Sequence, residues 1–484
     1  MPKHKNMDFF FNPEGIAIIG ASDDPARGGF SILKNALEGY SGKIYPVNPK
    51  YGSIQNIECY PDIESIPEDF DLAIYFIPAQ FLPDTIRACA RKNVKGIIIE
   101  SAGFAEVGQE GKRLQEECIR IASEAGIRLW GPNCMGLIDG HTKTVFSFLR
   151  NNNLWDLLKS GNVSLIVQSG MLSAGFLMMI LDRGGMGIAK MCSIGNKCDI
   201  HEGELLEYLI KDPQTDVIGL YVESIVDAPY FMDLCRSTNK PIVILKGGQS
   251  PAGAKAAQSH TASMAGNYTL TSHAFRQAGV VEVFDVNELA DLLRGFSQIH
   301  SYRRAGGTAI VTFSGAGGII TSDLLYNHGL PLAELAPETF TALQEVFPEW
   351  MPPSHPVDIW PAIEKNGYKK VYTHVINALM HDDNVNSLIV HLLPNLMDIS
   401  YLQELGSLKD SLSKPVTAWL TGNGDRLVEF RNQLEDIGIP VFDEMKRGVR
   451  FFQAARQHFD KKGIIEPIAE VSHCHSREGG NQVL

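Results

Sequence analysis

Over residues 15–130 the chain sets short apolar, β-rich runs against amphipathic segments, and this alternation constrains the fold more than any other feature. The runs at 15–20 (GIAIIG), 43–47 (KIYPV), 71–77 (DLAIYFI), 96–101 (GIIIES) and 127–130 (IRLW) read as buried parallel strands. Helical patterns at 83–92 and 110–125 fall between them. Strands covered on both faces appear as near-continuous apolar runs, so the pattern predicts a doubly wound α/β sheet. In such sheets ligands meet the loops at the carboxyl ends of the strands.

The pattern recurs twice. A polar stretch at 151–161 precedes runs at 163–167 (VSLIV), 189–194 (AKMCSI), 217–223 (VIGLYVE) and 241–246 (PIVILK), with helices expected at 170–182, 202–210 and 229–238. The small-residue stretch 247–266 (GGQSPAGAKAAQSHTASMAG) reads as a long loop. After RRAGG (303–307) come 308–313 (TAIVTF), 387–393 (SLIVHLL), 415–420 (PVTAWL) and 439–442 (IPVF). The chain thus divides into three doubly wound α/β domains at 1–145, 155–302 and 307–460, with a disordered tail at 461–484. That division suits 484 residues, since a domain holds ~100–200. LIVQSGMLSAG (165–175) and IVTFSGAGGII (310–320) form a weak internal repeat of strand, Ser-Gly turn and helix.

Composition narrows the function. A net charge of −13 excludes a nucleic-acid binder that relies on a basic face. The eight cysteines form no CxxC pair, and Cys192, Cys198 and His201 match no common zinc spacing, so no metal site is expected. His473, Cys474 and His475 lie in the tail, where no function is expected. The start of the chain lacks a signal-peptide core, and the apolar stretch 165–181 is broken by Gln168, Ser169 and Gly170, short of the ~20 residues a membrane span needs. A cytoplasmic protein with reduced thiols and no membrane contact is the expectation.

Several strand-end loops carry chemistry. The turn 20–31 (GASDDPARGGFS) lies where a Rossmann unit binds phosphate, but Ser22 stands where GxGxxG has its second glycine. This weighs against a nicotinamide site and leaves Ser22 and Ser31 as hydroxyl donors at a helix start. Lys50, in PVNPKYG (46–52), either pairs with a phosphate or is a solvated turn lysine. FIPAQ (76–80), SAGF (101–104) and GPNCMG (131–136) end strands on the same edge and together predict a ligand crevice.

The sharpest signal is QSHTASMAGN (258–267). Its small neighbours leave the His260 imidazole presented rather than packed, and imidazole is a good phosphoryl acceptor near neutral pH. A phosphohistidine needs its dianion stabilised, and helix N-termini at Ser169-Gly170 and at Ser314, Gly315, Ala316 and Gly317 supply free N–H groups. Glu223 is the carboxylate best placed to orient the ring, the alternative being a strand-end glutamate facing solvent.

The ordered set GAS…G (20–29), PVNPKY (46–51), GPNCMG (131–136), QSG (168–170), YVES (221–224), SHTAS (259–263) and FSGAGG (313–318) resembles the NDP-forming acyl-CoA synthetase superfamily. That superfamily includes the ADP-forming acetate–CoA ligases and succinyl-CoA synthetase, and the likeness runs from about Phe9 to about Ala455. The resemblance implies a CoA-binding Rossmann-type domain followed by two flavodoxin-like ligase domains. It implies that Gly20, Ser22, Lys50, Pro78, Asn133 and Cys134 sit near CoA, and that His260 is the phosphorylated histidine with Glu223 as its orienting carboxylate. Ser169 and Gly170 would start one phosphate-binding helix, and Gly315, Ala316 and Gly317 the other. Ala262 stands where the family has glycine. The family's nucleotide site lies in an ATP-grasp domain, for which too few residues remain after Asp460. The resemblance therefore implies an α subunit whose separate ATP-grasp β subunit binds ADP or ATP with Mg2+ in a hetero-oligomer. The substrates would be a small carboxylic acid and its CoA thioester. A non-catalytic CoA-binding regulator on the same fold is the alternative. A nicotinamide dehydrogenase is disfavoured by the lack of an acidic residue ~20 positions beyond the first turn.

Overall fold

The computed structural model describes residues 7–150, 154–261, 268–303, 305–422 and 424–461; the expected tail beyond Lys461 lies outside them. The backbone groups into two compact units, Met1–His300 with Val428–Phe442, and Ser301–Leu427 with Asp443–Leu484.

In the first unit one sheet runs Lys43–Val47, Gly15–Ile19, Leu72–Tyr75, Gly96–Ile99, Arg128–Trp130, all parallel. A parallel bridge between Val47 and Tyr60 extends its edge, which yields the Rossmann order 3-2-1-4-5-6. Successive side chains of a strand point to opposite faces, and the core divides accordingly. Ile16, Ile18, Ile74 and Trp130 pack with Ile32, Leu33 and Ala36 of helix Gly28–Gly39. Ala17, Ile19, Tyr75 and Ile99 pack with Leu82, Ile86 and Cys89 of helix Leu82–Arg91 and with Cys118 and Ile121 of helix Gln109–Ala125.

The second sheet has a parallel core in the order Val281–Val283, Ile242–Lys246, Val217–Val222, Ser160–Val167, Ile188–Ser193. Its edge is completed by antiparallel strands Leu137–Asp139 and Thr144–Phe146. These two strands fall within or across the end of the segment 1–145 expected as the first domain, yet they pair with the second sheet. Three-residue strands after a glycine-rich loop give too short a pattern to reveal their partners. The apolar layer containing Trp130 continues through Phe10, Phe11, Ile166, Cys192, Leu220 and Ile244, so the two sheets share one core. Fully burying Phe10, Phe11 and Trp130 contributes roughly 1.5–3 kcal/mol each. Polar ties cross the same region. Trp130 Nε1 donates to Ser193 O at 2.7 Å, and Arg128 pairs with Asp199 at 2.9 Å and Glu204 at 2.8 Å.

The segment 247–266, expected as loop throughout, contains a helix at Pro251–Thr261. Ser250 starts it, its hydroxyl accepting from Gly253 N at 3.0 Å and its carbonyl from Ala254 N at 2.7 Å. Four alanines between 252 and 257 favour helix without any apolar stripe, and proline is tolerated in the first turn. The other helices of this region, Gly170–Arg183, Glu202–Lys211 and Ala228–Ser237, lie within two residues of expectation.

In the second unit a parallel sheet runs Val357–Asp358, Gly307–Thr312, Val385–Leu392, Val416–Leu420. Each sheet therefore has a point where the connections reverse direction: beside Ile19, beside Val167 and beside Thr312. No helix among the described residues is long and apolar enough to cross a membrane.

Candidate functional site

The first unit gathers its strand-end loops around a cleft of ≈ 570 Å³. One wall comes from the first sheet: Phe76, Ile77 and Pro78, then Glu100 to Ala102, then Asn133 and Cys134. The other comes from the second sheet: Gln168, Ser169, Gly170 and Met171, with Gly195 and Asn196. The loops lock by close backbone approach. A Cβ on Gly195 would meet Pro132 O at 2.1 Å, and Asn196 N donates to the same carbonyl at 2.8 Å.

Pro78, Asn133, Cys134, Ser169 and Gly170 are thus brought together. Ser169 caps helix Gly170–Arg183, its Oγ accepting from Leu172 N at 3.4 Å. The next residue is an uncrowded glycine, 3.7 Å from Asn133 O even with a Cβ added. The start of a long helix offers unpaired N–H groups and a positive dipole end, suited to an anion. Cys134 is not a nucleophile in waiting. It is buried with Sγ 3.3 Å from Ile99 O, and burial, reinforced by the Glu100 carboxyl, pushes its thiol far up.

Gly20, Ser22 and Lys50 do not line this cleft. Gly20 turns the chain at φ +93°, and a Cβ there would strike Phe76 O at 2.6 Å. Helix Gly28–Gly39 seats directly on this turn, a Cβ on Gly29 falling 2.0 Å from Gly20 O. The buried Ser22 hydroxyl accepts from Asp24 N at 3.1 Å, and Ser31 Oγ accepts from Arg150 Nε at 3.1 Å. Lys50 is exposed, with its backbone N–H on Asn48 Oδ1 at 3.0 Å.

Glu223 follows strand Val217–Val222 and is 5 % exposed, so it does not face solvent. Tyr221 OH donates to its Oε1 at 3.3 Å. Its loop is held from two sides by buried lysines. Lys246 Nζ donates to Glu223 O at 2.7 Å. Lys197 Nζ donates to Ser224 O at 2.6 Å and pairs with Glu202 at 2.8 Å. Burial lowers both ammonium groups' affinity for their protons. His260 is the penultimate residue of helix Pro251–Thr261, and its side chain lies outside the described residues, as do Ala262 and Ser263.

Two buried groups of the cleft were not singled out from sequence. Glu100, 4 % exposed, accepts from Phe148 N through Oε2 at 3.0 Å, while Oε1 has no partner among the described residues. Burial pushes this carboxyl well above the usual range. Gln168, 1 % exposed, accepts from Glu223 N at 2.8 Å and Ser224 N at 3.2 Å through Oε1. Its Nε2 has no acceptor among the described residues.

Gly315, Ala316 and Gly317 begin helix Gly315–Asn327 of the second unit, with Ser314 as its cap residue. Beneath them His391 sits fully buried, its ring nitrogens 3.0 Å from Thr312 Oγ1 and 3.3 Å from Thr321 Oγ1. Burial lowers this imidazole to about 4. A larger hollow of ≈ 1090 Å³ in the same unit is bordered by Tyr368, Lys370, His374 and Tyr401. None of these four is a deeply buried ionisable group. His201, considered with Cys192 and Cys198, serves as a helix cap, Nδ1 accepting from Gly203 N at 3.2 Å. Among the described residues no three His, Cys, Asp or Glu side chains cluster as metal ligands.

A Rossmann module joined through a shared core to a second doubly wound sheet is a two-sheet architecture with a cleft at its strand ends, and two family matches assign it to the CoA-binding ligases. Residues 14–139 match a CoA binding domain, and residues 160–296 match a succinyl-CoA ligase like flavodoxin domain. An acetate–CoA ligase [ADP-forming] II of Archaeoglobus fulgidus is 37% identical over 443 residues, 91% of this chain and 65% of the relative. The α subunit of acetate–CoA ligase [ADP-forming] II from Pyrococcus furiosus is 34% identical over 90% of this chain and 94% of its own length. The solved structure of the dinucleotide-forming acetyl-coenzyme A synthetase 1 of Ca. Korarchaeum cryptofilum in complex with phosphate and ADP superposes with a TM-score of 0.84 at 28% identity. That match covers 95% of this chain and 98% of the other. The chain belongs to the NDP-forming acyl-CoA synthetase family, within its ADP-forming acetate–CoA ligase branch. It spans 65% and 62% of two Archaeoglobus fulgidus relatives, whose chains are longer.

Proposed function

We propose that this chain is the α component of an ADP-forming acyl-CoA synthetase, interconverting acyl-CoA, ADP and phosphate with a carboxylic acid, CoA and ATP. The observation that carries the reading is the cleft in which Asn133 and Cys134 of the CoA-binding module meet the Ser169-Gly170 helix start. Glu223 lies on the adjoining strand end, bonded through its backbone to Gln168. In the degradative direction a phosphate oxygen attacks the thioester carbonyl, CoA leaves as its thiol, and an acyl phosphate forms. A ring nitrogen of His260 then attacks phosphorus, the carboxylate departs, and Glu223 orients and stabilises the imidazole. The helix start at Gly170 holds the anionic oxygens throughout. Phosphohistidine finally delivers its phosphoryl group to ADP. In-line transfer needs reacting atoms within ~3–3.5 Å, so a travelling carrier solves the separation of the two half-reactions.

ADP or ATP and Mg2+ are assigned to a partner ATP-grasp β subunit, consistent with relatives named as α subunits. The Gly315-Ala316-Gly317 helix start is proposed as the second phosphate station. Gly20, Ser22 and Lys50 are assigned to the outer, nucleotide part of CoA, away from the thioester cleft. The division into a CoA-binding domain and two ligase domains near 1–145, 155–302 and 307–460 is kept as the functional one. Relatives named for acetate, 4-hydroxybutyrate and trans-feruloyl substrates support a small carboxylic acid of this range.

The test is incubation of chain, partner, Mg2+ and γ-labelled ATP. Acid-labile, base-stable label on the wild type and none on His260→Ala is the expected result. Unlabelled wild type that still binds CoA would instead favour a regulator.

A further inference from the structure

Gln168 stands where strand Ser160–Val167 of the second sheet gives way to the Gly170–Arg183 helix. Its amide orientation is settled by its neighbours. Oε1 accepts two backbone N–H groups, from Glu223 at 2.8 Å and Ser224 at 3.2 Å; a flipped amide would point N–H at N–H. The NH2 end is therefore committed to the other side. There it is buried, without an acceptor among the described residues, in a side chain that lines the cleft beside Ser169 and Gly170. An unpaired buried donor is costly, and native proteins rarely leave one without a use. The surroundings specify the missing acceptor. The helix start favours an anion, and burial drives Glu100, the carboxyl on the facing wall, toward its uncharged form, which spares an anion repulsion.

We propose that the Gln168 side-chain amide donates through Nε2 to a phosphoryl oxygen of inorganic phosphate or acyl phosphate held at the Gly170 helix start. Its Oε1 meanwhile fixes the Glu223 loop, so that one residue couples the anion's position to that of the orienting carboxylate. This rests on the reading that the cleft handles phosphate.

The two ends of the amide are separable by Gln168→Glu. A carboxylate at this position still accepts from Glu223 N and Ser224 N but presents an anion where the amide presents a donor. The enzyme reconstituted with its partner subunit is assayed with acyl-CoA, ADP and inorganic phosphate at pH 8. KM for phosphate rises roughly tenfold or more, the scale of a charge-assisted hydrogen bond, while KM for acyl-CoA stays within about twofold. Lowering the pH toward 6 restores part of the phosphate affinity, because a protonated carboxyl again donates. If Gln168→Glu does not fold, Gln168→Met is used, with its stability read separately by thermal melting. A folded variant of either kind with wild-type KM for phosphate overturns the proposal. A wild type that shows no phosphate dependence overturns the underlying reading of the cleft instead.

Discussion

At the residue scale, one buried carboxyl, Glu100, lines the cleft and another, Glu223, lies at the adjoining strand end. Glu223 is held by backbone bonds to Gln168 and Lys246, so Glu223→Gln should leave the fold intact. The phosphorylation rate of His260 should fall roughly 10²-fold, within the range for a general acid–base group, with KM for CoA little changed; rapid-quench labelling reads this. Glu100 makes the opposite prediction. Its folded-state proton affinity is raised, so the native state holds its proton more tightly than the unfolded chain. Stability then falls as pH rises from the ordinary carboxylate range toward the elevated value. Glu100→Gln should remove that slope in denaturant titrations at pH 5 and 8, and equal slopes in both proteins would contradict it. A charged residue closing an apolar strand drew attention to Glu223 in the sequence. The same signature occurs at Glu100, ending GIIIE, but there the following SAGF loop carries the stronger ligand-binding pattern. Gln168 reads from the sequence as a break in an apolar stretch and as the first residue of the QSG motif, and neither reveals its burial. Burial of a neutral amide depends on which strands lie beside it, and that is a tertiary property.

At the element scale, turns are the fragile parts. Helix Gly28–Gly39 can approach the first strand only because Gly29 lacks a side chain. Gly29→Ala should therefore destabilise the first unit by roughly 3 kcal/mol, the upper range for overpacking, and weaken CoA binding, as chemical denaturation and calorimetric titration would record. Ser250→Ala should cost about 1 kcal/mol through the lost cap of helix Pro251–Thr261, whose Gly253 N–H donates to the Ser250 hydroxyl, a loss that chemical denaturation would record. Strands were legible because parallel strands covered on both faces read as unbroken apolar runs; their ends shift by up to three residues. The Pro251–Thr261 helix was not legible as such. Its alanines and polar residues lack a stripe, and local propensity alone did not distinguish it from a small-residue loop.

At the scale of the whole molecule, the first unit is knit by one apolar layer through both of its sheets and by the Trp130–Ser193 and Arg128–Glu204 ties. Its two sheets should melt as one transition in calorimetry, although sequence patterning separates them into domains. Resolved transitions for the two sheets would contradict this. In the second unit the buried His391 is neutral, with its proton affinity lowered from 6.5 to about 4. Its contribution to stability is complete above about pH 6.5 and is lost as pH falls toward 4, because the unfolded chain takes up the proton first. The proposed catalytic cycle depends on where the phosphoryl group is carried. The most direct measurement is mass spectrometry, at neutral to basic pH, of the tryptic peptide covering 256–276 after phosphorylation with the partner subunit. That peptide contains both His260 and His273. Transfer through His260 predicts fragment ions that place the phosphoryl group on that residue, whereas a modification on His273, or turnover with an unmodified peptide under trapping conditions, would contradict it.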